Sequence, residues 1–378
     1  MKNKSLKIVV LAIALLVVLF LSLPQYLRKA LIYRKANIDD YTIFENRVVK
    51  AGNYREWNIS NRYNKKNIPA ECKPVFEKYH TVAFIVTQND SLLHEEYWEG
   101  YSDSSVSNSF SMAKSIIGLL VGIALEEKKI ESPDQHVTDF FPELKGAFKD
   151  KLRIINLLTM TSGIEWDESY SSAFSKTTMS YYGDDIRSLI MKLPVSKEPG
   201  KTYIYQSCDT ELLAMILEKA TGISLSEYAS EKLWKPLGAR YDALWSLDHK
   251  DGMEKAYCCF NSNARDFARF GKLILDSGKC NGIQVVPWQY LAGSLKPLKF
   301  IKDEYGNMVD YYGYQWWIMN YKGFYIPFAR GLNGQYILVI PDKKAIIVRL
   351  GKERSKNSVN LQPDDLYTYI DAALSILN

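Results

Sequence analysis

The sequence predicts an α+β fold, and three observations carry that expectation. Two strand-like runs, Val82 to Val86 and Ser91 to Tyr97, flank residues 87–90, where Asn89 and Asp90 suit a tight turn. The middle, from about Glu131 to Leu291, holds helical patterns such as Thr210 to Ala220 and Ala264 to Leu275, broken by Gly and Pro turns. The end returns to short strand-like runs: Tyr314 to Tyr321, Phe324 to Gly331, Gln335 to Ile340 and Ala345 to Leu350. Lys322-Gly323 and Pro341-Asp342 separate them, so they read as sequential antiparallel strands.

Two helices complete the plan. Ser111 to Glu127 is apolar on nearly every side, the pattern of a helix buried all round. In 364–377, Leu366, Ile370, Leu374 and Leu377 recur at helical spacing, which suits a C-terminal helix covering a sheet face. The predicted organisation is therefore a signal-anchor or transmembrane segment at 1–27, a linker or arm at 28–75, and one domain at 76–378. The anchor is read from Lys2, Lys4 and Lys7 ahead of an uncharged apolar run, Ile8 to Leu23. No AxA-like cleavage site follows, since Ser22, Leu23, Pro24 and Gln25 stand there, so an uncleaved anchor is favoured. Arg28, Lys29, Arg34 and Lys35 on the far side offset the leading lysines, and charge does not set the orientation.

Composition narrows the function classes. Apolar residues make up 47% and charged residues 24%, as in globular chains. The net charge of +5 is spread out with no basic stripe interleaved with aromatics, so no nucleic-acid partner is expected. The four histidines, His80, His94, His136 and His249, are never three to five residues apart, and the five cysteines form no CxxC knuckle. No metal or other cofactor is expected, and most cysteines read as core residues.

A serine hydroxyl is a poor nucleophile at neutral pH and needs a base, oxyanion donors and a dry site. Ser111-Met112-Ala113-Lys114 can supply the first, because helix positions i and i+3 share a face and bring the lysine amine to the serine oxygen. A helix starting near Ser111 would also aim free N–H groups at a developing oxyanion. No other serine in the chain has lysine three residues on. Taken alone, the motif is better matched by an ordinary helix start with Ser111 as N-cap and Lys114 in solvent.

The surrounding segments decide between the two. Residues 109–115 (SFSMAKS) resemble the nucleophile region of the serine beta-lactamase and penicillin-binding-protein superfamily. Residues 156–163 (NLLTMTSG) resemble its LLTHTSG segment, with Met160 where histidine is common. Pro199-Gly200 followed by Tyr203, Tyr205, Ser207 and Asp209 is similar to its PG...YSN region. Residues 263–271 are similar to a helix of class C and esterase-like members, and Gly331 to Gln335 to their late GxxGQ strand. The matches occur in family order over roughly Val82 to Leu377.

The resemblance implies the beta-lactamase/transpeptidase-like fold, an antiparallel sheet flanked by helices plus an all-helical part. It implies Ser111 as nucleophile, Lys114 and Tyr205 as general base and acid, and the backbone N–H groups of Ser111 and Leu332 as the oxyanion hole. Ser207 stands where the YxN motif usually has asparagine, and Ala329-Arg330-Gly331 where beta-lactamases carry KTG. With Tyr170 of a competing Tyr170-Ser171-Ser172 match, these are the expected substrate-binding residues. The expected activity is hydrolysis of an ester or amide through an acyl-enzyme, as in the class C, esterase and 6-aminohexanoate-dimer-hydrolase-like branch, on small-molecule or peptide-like substrates. A true beta-lactamase or DD-peptidase is the alternative, and the altered KTG counts against it. A non-catalytic penicillin-binding-like module is a further one. The expected location is the membrane, with the domain outside the cytoplasm, periplasmic or at the cell surface.

Overall fold

The computed structural model describes residues 2–377. The first helix, α1 (Lys2–Ser22), is long and apolar enough to cross a bilayer, and its apolar residues from Leu6 to Leu21 lie largely exposed. It ends before Pro24, which cannot continue it. Helix α2 (Gln25–Tyr33) follows and lies against the helix Lys176–Tyr182, with Tyr33 and Tyr182 stacked at 6.2 Å between ring centroids. The arm beyond it wraps onto the domain. Its strand Asn46–Val49 pairs antiparallel with Ala243–Ser246, and Ile38 and Val49 are fully buried.

The main sheet has seven strands: β1 (Asn58–Ile59), β2 (Thr81–Gln88), β3 (Ser91–Tyr97), β4 (Trp317–Tyr321), β5 (Phe324–Gly331), β6 (Gln335–Ile340) and β7 (Ala345–Gly351). Their order across the sheet is β4-β5-β6-β7-β2-β3-β1. All neighbours are antiparallel except the short edge strand β1, which runs parallel to β3. The predicted hairpin is β2–β3, and the predicted late strands are β4 to β7. The first of these begins at Trp317 rather than Tyr314.

Strand alternation divides the core in two. Ala83, Ile85, Ile337, Val339, Ile346 and Val348 belong to one apolar cluster, while Phe84, Val86, Leu338, Ile340 and Ile347 belong to the other. The first face is covered by α3 (Met112–Glu126) and α5 (Ala264–Leu275), the second by α6 (Asp365–Leu377). A sheet covered on both faces needs strands that are apolar on both sides, and the sequence supplies them.

The predominantly helical region packs beyond α3. Every residue of α3 from Met112 to Ala124 is buried, as its all-round apolar pattern demands. Gly118 and Gly122 let neighbours approach closely: a Cβ at 122 would sit 2.4 Å from the Tyr290 ring. Helix α4 (Ser207–Thr221) and the short helix Ile154–Leu158 complete the packing around α3.

Candidate active site

Ser111 stands at the junction of a strand, a turn and a buried helix. Residues Ser107–Asn108 pair with Phe260–Ser262, and the Asn108 side-chain oxygen accepts from the Phe110 N–H at 2.8 Å. Phe110 then takes φ +44°, a sparsely populated region for an aromatic residue. That reversal starts α3 directly at Met112 and leaves Ser111 as its N-cap, partly exposed. The Ser111 hydroxyl makes no capping hydrogen bond; it accepts from Lys114 Nζ at 3.1 Å.

Lys114 is only 1% exposed, which removes the reading of a solvated helix-start lysine. Its amine faces three oxygens, Ser111 Oγ at 3.1 Å, Ser207 Oγ at 3.0 Å and the Tyr257 carbonyl at 3.0 Å. It also lies 5.3 Å from the ring centroids of Tyr205 and Tyr257. A buried amine is tolerated only where its hydrogens are all received, and this pocket receives them.

Tyr205 and Ser207 reach the lysine because two chain segments are tied together. Met160 takes φ +57°, and its carbonyl accepts from the Ile204 N–H at 2.9 Å. The Thr161 carbonyl accepts from the Gly200 N–H at 2.8 Å. Behind them Asp209 accepts from Ser162 and Gln206, and burial pushes its carboxyl up to about 7. Glu211, pushed up to about 8 by burial, accepts from the N–H groups of Ala256 and Tyr257 and so holds the turn whose carbonyl meets Lys114.

Strand β5 closes the other side. Gly331 lies so close to the turn before α3 that a Cβ there would be 2.2 Å from the Ser109 carbonyl oxygen. Leu332 follows in a short 3-10 turn (Leu332–Gly334), whose carbonyl at 332 is held by the Gln335 side chain at 3.1 Å. Ala329 is buried in the core beside α3. Arg330 points the other way and is not a solvated strand residue. Its guanidinium sits 3.5 Å over the Trp317 ring, and Nη1 donates to Gln362 Oε1 at 2.6 Å. Trp317 in turn packs on Tyr205 at 5.3 Å between centroids. Burial lowers the Arg330 pKa from its ordinary value.

Tyr170 is 53% exposed and donates its hydroxyl to Glu168. Glu168 had no signal in the sequence, yet its carboxylate accepts from the Ser207 N–H at 2.7 Å and from the Ser207 hydroxyl at 2.6 Å. Cys258 and Cys259 are joined to each other by a disulfide, next to Tyr257, whereas Cys72, Cys208 and Cys280 are free and buried. Among the described residues no cluster of His, Cys, Asp or Glu could hold a metal ion.

The family model described as Beta-lactamase matches residues 75–365. The 6-aminohexanoate-dimer hydrolase of Paenarthrobacter ureafaciens is 30% identical over 296 residues, 72% of this chain and 73% of that one. A solved structure from Bacillus anthracis that carries a provisional 6-aminohexanoate-dimer hydrolase name superposes with a TM-score of 0.70 at 23% identity, covering 89% of this chain and 92% of its own. A family VIII carboxylesterase superposes at 0.61 with 15% identity, covering 85% and 99%. With its matched span and its α+β architecture of helices on an antiparallel sheet, the chain belongs to the beta-lactamase family and is a serine hydrolase of that family.

Proposed function

We propose that this enzyme cleaves an ester or amide by forming an acyl-enzyme on Ser111. The observation that carries the proposal is the hydrogen bond between Ser111 and a buried lysine, with the serine hydroxyl free of any capping role. Once Lys114 gives up the proton it directs at Ser111, two N–H donors remain for Ser207 Oγ and the Tyr257 carbonyl, and its lone pair then faces the Ser111 hydroxyl. Ser111 Oγ attacks the carbonyl carbon while its proton passes to Lys114. Tyr205, beside the same amine, hands a proton to the departing alkoxide or amine. Water then repeats the sequence with the roles reversed and releases the acid. The N–H groups of Ser111 and Leu332, on the two sides of the Gly331–Ser109 contact, are proposed to hold the oxyanion.

The relatives favour a small amide or ester as substrate, since they include a 6-aminohexanoate-dimer hydrolase and a carboxylesterase. The Ala329-Arg330-Gly331 sequence points away from beta-lactams. Arg330 is already engaged by Gln362 and Trp317, so a substrate carboxylate would have to compete with them for the guanidinium. Such charge-assisted bonds contribute roughly 1.5–3 kcal/mol, so the loss of one lowers affinity or rate about tenfold or more. A panel of a short-chain nitrophenyl ester, amino-acid amides and a chromogenic cephalosporin tests this. We expect the highest kcat/KM on a neutral ester or amide, and a higher value for the cephalosporin would reverse the assignment.

We further propose that 1–27 anchors the chain in a membrane, with the domain of 76–378 and its arm of 28–75 outside the cytoplasm. The full chain should then sediment with membranes, while a chain starting near Asn37 should be soluble and active. Recovery of the full chain in the soluble fraction, with its N-terminal segment removed, would refute the anchor.

A further inference from the structure

The proton path proposed above leaves one question of direction open. Lys114 is flanked by two hydroxyls, Ser111 and Ser207, and a hydroxyl can donate as well as accept. If Ser207 gave its hydrogen to the lysine amine, the lone pair meant for Ser111 would be occupied. The Tyr257 carbonyl poses no such problem, because it can only accept.

Glu168 removes the ambiguity. One carboxylate oxygen accepts from the Ser207 hydroxyl at 2.6 Å and from the Tyr170 hydroxyl, and the other accepts from the Ser207 N–H at 2.7 Å and the Trp166 indole N–H at 2.6 Å. Four donors fill the roughly four acceptor positions of a carboxylate, which leaves Glu168 no capacity for substrate. Two of its four bonds go to one residue, so the position and the hydrogen of Ser207 are both fixed. With that hydrogen directed to Glu168, Ser207 can only accept from Lys114.

We infer that Glu168 is a positioning residue of the hydrolytic reaction: by holding the Ser207 hydroxyl hydrogen, it makes Ser207 an obligatory acceptor and reserves the Lys114 lone pair for Ser111. The inference rests on the acyl-enzyme reading above. It also accounts for serine at 207. An asparagine there would present an oxygen that only accepts, whereas a serine requires a neighbour to set its direction. Tyr170, tied to the same carboxylate at the exposed rim, connects this chain of bonds to the mouth of the site.

The test is a double-mutant cycle in the full chain with a nitrophenyl ester. In Glu168→Gln the amide oxygen must face the two N–H donors, which cannot reverse, so the amide NH2 meets the two hydroxyls and frees the Ser207 hydrogen. We expect kcat to fall about 10- to 100-fold, the range of a misdirected catalytic group, with KM within about threefold. In a Ser207→Ala background the same substitution should cost less than about threefold, because the effect travels through Ser207. An undiminished loss in that background, a raised KM with kcat kept, or a wild-type rate would each overturn the inference. Should Glu168→Gln fail to fold by thermal melting, Ser207→Thr and Ser207→Ala decide: threonine should keep kcat within about threefold while alanine loses about tenfold or more, and equal rates would overturn it. A wild-type chain that neither turns over the ester nor takes a fluorophosphonate label would instead refute the acyl-enzyme reading itself.

Discussion

Gly331 of β5 and Ser109, two residues before the proposed nucleophile, are in such close contact that any side chain at 331 would overlap the Ser109 carbonyl oxygen, with a Cβ only 2.2 Å away. The same Cβ would lie 3.2 Å from Phe110 Cβ and 3.0 Å from the Gln335 side chain, so no direction of relief is open. The end of the strand and the start of the helix are thereby locked together at the point where the two proposed oxyanion N–H groups lie.

Gly331→Val should therefore damage turnover more than stability. Overpacking at a tight contact costs about 1–3 kcal/mol, whereas a shift of about 1 Å between catalytic groups can lower the rate about 100-fold. Circular dichroism melting and ester kinetics on the same preparation check this. A variant with a large loss of melting temperature and normal kcat would show that the contact serves folding only.

Lys114→Ala and Tyr205→Phe should each lower kcat about 10²- to 10⁴-fold, the range of general acid and base groups. Their losses should not multiply, because the two side chains act on one proton path and lie against each other. The measurement is kcat for both single variants and the double variant on one ester. A double variant slower than either single by the product of their losses would separate the two roles.

A third expectation concerns pH and stability. Burial raises the Asp209 carboxyl from an ordinary 3.8 to about 7, so the folded chain favours its protonated form. The sign follows: this contribution to stability is fully present below the ordinary value and is lost as pH rises through about 7. Among the described residues its second oxygen, Oδ2, has no hydrogen-bond partner, which leaves room for an amide in its place. Asp209→Asn should thus be increasingly favoured over wild type between about pH 4 and 8. Melting temperatures of both across that range decide it, and a difference that stays flat with pH would contradict the buried-carboxyl account.

Local patterns made much of this legible in the sequence. The helix Ala264–Leu275 has the limits its pattern predicts, because Asn263 caps it by accepting from the Asp266 N–H at 2.9 Å. The proximity of Ser111 and Lys114 follows from i, i+3 spacing on one helix face. Features made by distant parts of the chain were not legible. Glu168 meets Ser207 across 39 positions, and nothing beside either residue announces the pairing. Arg330 stands among the expected substrate-binding residues, and nothing beside it in the chain announces the partners that engage it. Its place over Trp317 depends on the β4–β5 pairing and on Gln362. The strand at Asn46–Val49 was hidden for the same reason, its partner lying about 200 residues away. The Cys258–Cys259 bond joins neighbours, a pairing that counting cysteines does not suggest.

In the proposed reaction Ser111 alone carries the acyl group. The most direct measurement is peptide mapping by mass spectrometry after reaction with a fluorophosphonate probe, run on the wild type and on Ser111→Ala. One adduct is expected, on the peptide holding Ser111, and none in the variant. A label that persists in Ser111→Ala, or that maps to another serine in the wild type, would contradict it.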